Sequence, residues 1–279
     1  VLYREERTKE RAREQAGTAQ AEPAPSALHV TLPDGSRPLL DMQRLRRLVD
    51  EACEGLPEVS VQAIVEDALR NLFDGVAEAD VGRALAMSAR ALIERAPHYS
   101  YVAARLLLDD LRREALRFLG EGLATATQGE MHQRYADYFA HYVQRGVKLE
   151  LLDPRLQQFD LARLGAALKP ERDMQFTYLG LQTLYARYFL HSNGTRFELP
   201  QAFFMRVAMG LAIGEVEREA RAIEFYNLLS SFDFMSSTPT LFNAGTLRPQ
   251  LSSCYLTTVA DDLDGIYSAI KDNALLSKY

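Results

Sequence analysis

The sequence predicts a mainly helical chain: a small unit of one β-hairpin and four helices, then a larger helical domain, then a segment that turns towards strand character. Three observations predict this. Apolar residues recur at helical spacing through most of the stretch from Asp41 to Ser230. One strand–turn–strand pattern, Leu28-His29-Val30-Thr31-Leu32 followed by Pro33-Asp34-Gly35-Ser36 and Leu39-Leu40, stands in front of it. After Ser231 the helical pattern gives way to a hydroxyl-rich turn and the strand-like run Cys254-Tyr255-Leu256.

Composition narrows the classes of function. The 279 residues are 47% hydrophobic and 25% charged, enough apolar mass for packed cores and a length that fits one to three domains. A formal net charge of −6 argues against a dedicated nucleic-acid binder. No run is long and apolar enough to span a bilayer, and no signal peptide is read at the start. Two cysteines, Cys53 and Cys254, are too few for a disulfide framework, so a reducing cytoplasm is expected. The five His are scattered without ligand spacing, so neither a metal site nor a resident cofactor is expected here. The chain opens without Met and stops inside a helical pattern, which reads as a fragment of a longer polypeptide.

Taken in order, residues 1–16 are dense in charge and in good helix formers, with Glu5 and Lys9 paired one turn apart. Residues 17–27 are rich in Ala, Pro and Ser and read as a linker. After the hairpin, Asp41 caps a helix whose apolar face is Leu45, Leu48, Val49 and Cys53. Ser60 starts a second helix, with Val61, Ile64, Val65, Ala68, Leu69 and Leu72 on its apolar positions, and Asp74-Gly75 breaks it. Ala79–Arg95 and Ser100–Phe118 supply the third and fourth. Cys53 is read as a small buried hydrophobe. Further on, Glu130–Gly146 places Tyr135, Tyr138, Phe139 and Tyr142 at helical spacing, which is core packing, and Leu164–Phe189 continues the helical pattern.

The stretch Ser237-Thr238-Pro239-Thr240-Leu241-Phe242-Asn243-Ala244-Gly245-Thr246 carries the chemistry. Pro239 biases Thr238 towards an extended backbone, and Asn243-Ala244-Gly245 offers a residue tolerant of positive φ, so the chain can reverse there. Such a loop can aim N–H and O–H groups at an anion. Behind Ser252-Ser253, the thiol of Cys254 is expected on a buried strand. Asp261, Asp262 and Asp264 then precede or open a helix, as N-terminal capping acids do.

STPTLFNAGT (237–246) with QLSSCYL (250–256) resembles the large (alpha) subunit of ribonucleotide reductase, and the likeness runs almost unbroken from Phe232 to Tyr279. The hairpin and four helices ending in RAPHYSYVAARLLLDDLRREA (95–115) resemble an ATP-cone. ERDMQFTYLGLQTLYARYFL (171–190) and ELPQAFFMRVAMGLA (198–212) resemble the helical domain ahead of the reductase barrel. The resemblance divides the chain into the last helix of a first cone (1–16), a linker (17–27), a second cone (28–119), the helical domain (120–230) and the start of a ten-stranded α/β barrel (231–279). It implies that Cys254 is one of two redox-active thiols, that Thr238, Ser253 and Cys254 contact the substrate, and that Asp261, with Asp262 and Leu263, meets the specificity effector. It further implies ATP, dATP and deoxynucleoside triphosphate effectors, and a diiron-type radical centre in a separate small (beta) subunit. Thioredoxin or glutaredoxin as reductant and self-association of the large subunit complete the implied partners.

Two other readings stand beside it. Adenosylcobalamin-dependent reductases share these motifs, and a regulatory nucleotide-binding module would share the cone, although such a module has no need of residues 120–279. Within the cone the sequence departs from the family. Where phosphate-facing basic residues are usual it has Leu32 and Pro33, and where Thr is frequent it has Glu78; Arg44 and Arg112 remain basic. A cone fold with its nucleotide binding lost is therefore expected.

Overall fold

The computed structural model describes residues 28–120 and 125–278. The helix and linker expected over 1–27 lie outside these residues. The first unit opens with an arm that folds back on itself: Val30 N donates to Pro38 O at 2.9 Å and Leu40 N to Leu28 O at 2.7 Å. The return leg is short because Pro38 has no N–H to give to a ladder; a bridge between His29 and Leu39 marks it. A pairing the pattern did not announce adds to the hairpin. Strand β1 (Val30–Thr31) runs parallel to β2 (Val76–Ala77), Val30 opposite Val76. Asp74, beside the expected break, anchors it by accepting from His29 N at 2.7 Å.

Four helices follow: α1 (Met42–Cys53), α2 (Val61–Arg70), α3 (Glu78–Ala91) and α4 (Tyr99–Leu119). The expected caps are in place. Asp41 accepts from Gln43 N at 3.0 Å and Arg44 N at 2.9 Å, and Ser60 accepts from Ala63 N at 3.2 Å. Leu45, Val49, Ile64, Val65, Leu85 and Ala89 are buried between the helices. Cys53 is half-buried against this core, and burial pushes its thiol up to about 11, so it stays protonated.

Helix α4 belongs to two cores. Tyr99, Val102, Ala103 and Leu106 close the first, while Ala104, Leu108, Leu111, Ala115 and Leu116 enter the second and larger one. That core is built on α5 (Gln128–Lys148), which starts with a capping box between Thr127 and Glu130. Its tyrosine stripe is buried as the spacing predicts, and each hydroxyl is bonded: Tyr135 to Asp173 at 2.8 Å, Tyr138 to Phe197 O at 2.7 Å, and Tyr142 to Glu198.

The pattern over 164–189 resolves into short pieces. They are α6 (Leu161–Ala166), a tight turn Pro170–Gln175, α7 (Tyr178–Thr183) and a π-turn Leu184–Tyr188. Pro170 and the new N-cap Thr177 interrupt what periodicity alone joins. A hairpin of β3 (His191–Ser192) and β4 (Thr195–Arg196) turns at Asn193-Gly194, both at positive φ, and leads to α8 (Pro200–Ala212) and α9 (Arg218–Ser230).

The two units are joined by buried charge as well as by α4. Asp173 is fully buried and accepts from Tyr135 at 2.8 Å, Gln201 Nε2 at 2.8 Å and Arg112 Nη2 at 3.2 Å. Arg112 also donates to Gln128. Two turns earlier, the guanidinium of Arg105 donates to Ala52 O at 2.9 Å and Glu54 O at 2.8 Å on one side, and to Met174 O at 3.2 Å on the other.

The last segment differs most from expectation. No strand lies within 231–278 among the described residues: α10 (Thr238–Asn243) and α11 (Leu263–Lys278) are joined by irregular chain, and the start of the barrel is not evident. A barrel strand needs hydrogen-bonded neighbours on both sides, and no described segment pairs with residues 250–262. Cys254 is therefore exposed rather than buried on a strand. Thr238 is also not extended: Pro239 takes the second position of α10, where its missing N–H costs nothing, and the extended residue is Ser237.

Candidate functional site

Helix α10 is the base of the site, and a buried ion pair holds it. Arg206 on α8 and Glu198 just ahead of α8 are both fully buried. Arg206 Nε donates to Glu198 Oε1 at 2.7 Å, and Nη2 reaches Oε2 at 3.3 Å. The rest of the guanidinium faces the end of α10, with Nη1 donating to Ala244 O at 2.7 Å and Phe242 O at 3.4 Å, and Nη2 to Leu241 O at 3.2 Å. Burial works against charge on Arg206, but Glu198 outweighs it and holds the guanidinium protonated. Glu198 also accepts from Leu190 N at 2.9 Å and from Tyr142, whose phenol burial pushes well up so that it remains a donor.

Backbone contact sets the spacing between α8 and the loop. A Cβ on Gly210 would lie 2.1 Å from Gly245 N, so only glycine fits there. Gly245 has φ +76°, the reversal expected of Asn243-Ala244-Gly245, and its carbonyl accepts from Asp153 N at 3.0 Å.

Thr238 is exposed at the start of α10, with its hydroxyl 3.1 Å from that of Tyr188. The Tyr188 ring stacks on Phe242 at 4.5 Å between centroids. The thiol-bearing segment is tied to the same helix: Asn243 Nδ2 donates to Gln250 O at 2.7 Å, and Thr240 Oγ1 to Leu251 O at 3.4 Å. Ser253 and Cys254 follow, both exposed, with their Oγ and Sγ 3.8 Å apart. Asp262 accepts from Gly265 N at 2.8 Å and caps α11, while Asp261 beside it is exposed, its carboxylate unengaged among the described residues; Leu263 is exposed at the first position of the helix. Arg206, Glu198, Gly210 and Tyr188 were not singled out from sequence. One signal was present, an Arg inside the apolar run Phe203-Phe204-Met205-Arg206-Val207-Ala208-Met209, where charge is rare unless paired.

The cone holds a cleft of about 290 Å³ between its arm and helices α1, α3 and α4. Val30, Leu32, Leu40, Leu45, Val81 and Leu85 give it apolar walls. Its cations are already matched. Arg44 Nη2 lies 2.9 Å from buried Asp109, Arg113 binds Asp110 and sits 4.0 Å from Asp109, and Glu78 takes Arg117 at 2.6 Å. Asp109 Oδ2 has no hydrogen-bond partner among the described residues, a burden an incoming phosphate would increase. Burial pushes Asp110 up to about 6, and only Arg113 and Arg83 pull it down. Of the residues flagged from sequence, Leu32, Arg44 and Glu78 line the cleft, Pro33 is exposed on the turn, and Arg112 faces away, committed to Asp173 and Gln128. Among the described residues no cluster of His, Cys, Asp and Glu is arranged to hold a metal ion, and no helix is long and apolar enough to cross a membrane.

Residues 28–114 match the ATP cone domain and residues 174–249 match the ribonucleotide reductase all-alpha domain. Over the whole chain the sequence is 43% identical to the ribonucleoside-diphosphate reductase subunit alpha of Chlamydia trachomatis, of which it covers 26%. It is 38% identical to the Helicobacter pylori protein of that name over 86% of this chain and 29% of the relative. The large subunit from Danio rerio is 33% identical over 90% of this chain and 31% of its own length. The chain thus spans about a quarter to a third of the relatives it matches. With a cone and an all-alpha domain in this order, and likeness to alpha subunits along its full length, the chain belongs to the ribonucleotide reductase large-subunit family.

Proposed function

We propose that this chain is part of the large subunit of a ribonucleoside-diphosphate reductase that makes deoxyribonucleotides. The observation that carries the reading is the 43% identity, along the whole chain, to alpha subunits of that name. The reaction replaces the ribose 2′-OH by hydrogen. Two thiols supply two electrons and two protons, the oxygen leaves as water, and a disulfide forms. Cys254 is one of these thiols, and its exposure leaves it accessible to substrate and to a reductant such as thioredoxin or glutaredoxin. Cys53 is not its partner, being packed in the cone with its thiol pushed up. Thr238 and Ser253 contact the substrate from the same α10-anchored base. The radical is supplied by a separate beta subunit, and the exposed apolar residues Tyr267, Ile270 and Leu275 of α11 serve self-association. Full-length protein with its small subunit and a dithiol is expected to convert ribonucleoside diphosphates to deoxyribonucleoside diphosphates. A strict requirement for adenosylcobalamin instead would favour the rival reductase class.

Asp261 holds the ribose of a deoxynucleotide effector, since Asp262 does the capping and leaves Asp261 free. Asp261→Ala is expected to weaken effector affinity by about 1.5–3 kcal/mol, the worth of a hydrogen bond to a charged group, and to blunt the effector-dependent change in substrate preference. An unaltered effector response in competitive substrate assays would remove the role.

The cone keeps its fold and does not hold a triphosphate. Its two cleft arginines are already paired with Asp109 and Asp110, and apolar Leu32 and anionic Glu78 line the same cleft. Titration calorimetry of residues 1–279 with ATP or dATP is expected to show no micromolar binding. Saturable micromolar binding that Arg44→Ala removes would overturn this.

A further inference from the structure

We infer that Arg206 is the positioning residue of the substrate loop: held by Glu198, its guanidinium fixes the end of α10 and through it both Thr238 and the Cys254 segment. The inference rests on reading that loop as the substrate site.

Burying both members of an ion pair is a poor route to stability alone, because each ion loses its hydration. Here the burial has a geometric result. One edge of the planar fork is spent on Glu198, and the remaining N–H groups meet the carbonyls of Leu241, Phe242 and Ala244. These carbonyls close the last turn of a short helix, where they have no partner of their own and a cation is favoured. Gly210 against Gly245 then fixes how closely α8 and the loop approach. From this clamped end the geometry passes outwards by two routes. Along α10 it reaches Thr238, whose hydroxyl meets Tyr188. Across Asn243 and Thr240 it reaches Gln250 and Leu251, two residues short of Ser253-Cys254. Lysine could satisfy Glu198 but not three carbonyls as well, because it lacks the fork.

The test is Arg206→Lys in the full-length enzyme with its small subunit. The fold is expected to persist, read by an unfolding midpoint close to that of the wild type. Amide exchange across 238–246 should quicken at least about tenfold while α5 is unchanged, as a loosened local segment requires. kcat/KM for a ribonucleoside diphosphate should fall about 100-fold, largely through KM, the scale of loss expected from misplacing bound groups by about 1 Å. Gly210→Ala, which displaces the loop without touching charge, should give the same pattern and carries the comparison if the lysine variant does not fold. Wild-type exchange and wild-type KM in the variant that folds would overturn the inference while leaving the reductase reading intact. Absence of reductase activity in the wild type would instead overturn that reading, and the exchange measurement would still decide whether Arg206 holds the loop.

Discussion

Asp173→Asn is expected to destabilise the folded chain by about 3–5 kcal/mol, because it leaves Arg112 charged and buried without a counter-ion. Asp173 and Arg112 are both shielded from water, and the carboxylate is the shared acceptor for Tyr135, Gln201 and Arg112. An amide offers one carbonyl oxygen in place of two carboxylate oxygens, and its NH₂ would face donors. The loss should be felt by both cores, since Arg112 sits on the helix they share. A denaturant series on the wild type, Asp173→Asn, Arg112→Met and the double variant would show it, with the double costing clearly less than the sum of the singles. In thermal unfolding the single change corresponds to a midpoint lower by about 10 °C for a chain of this size. A loss below about 1 kcal/mol would mean that the buried pair contributes little to joining the cone and the helical domain.

Much of the fold was legible because its signals are local. Asp41 and Ser60 cap the helices they precede, Gly245 reverses the chain, and the stripe Tyr135, Tyr138, Phe139 and Tyr142 is buried. What was not legible depends on partners distant in sequence. The parallel pairing of Val30 with Val76 joins residues far apart along the chain, and two-residue strands leave no alternation to read. The broken helix over 164–189 kept its apolar period through Pro170 and Thr177, so periodicity joined what the backbone separates. The site was half legible. The motif singled out Thr238, Ser253 and Cys254, but the strand expected for Cys254 has no described neighbour to pair with. Arg206 in the core helix and Glu198 just ahead of it gave no sign of their role, because the loop they hold lies more than thirty residues further along the chain.

Cys254→Ser carries the second large effect, on turnover rather than on stability. Serine has nearly the size of cysteine and keeps a hydrogen-bonding group, but it cannot give up electrons to the substrate by closing to a disulfide, as a dithiol does. Because Cys254 is exposed, with its thiol in contact with the Ser253 hydroxyl, the fold should move by no more than about 0.5 kcal/mol, as for surface changes generally. Effector binding at the site proposed for Asp261 should persist, since the substitution leaves that carboxylate and the Asp262 cap of α11 in place. A structural cysteine would leave both stability and turnover near those of the wild type. The direct measurement is deoxynucleotide formed per large subunit by the full-length wild type and Cys254→Ser, assayed side by side with the small subunit and excess dithiol reductant. Many turnovers by the wild type and none beyond the first by the serine variant are expected; sustained turnover by the serine variant would contradict the redox role of Cys254.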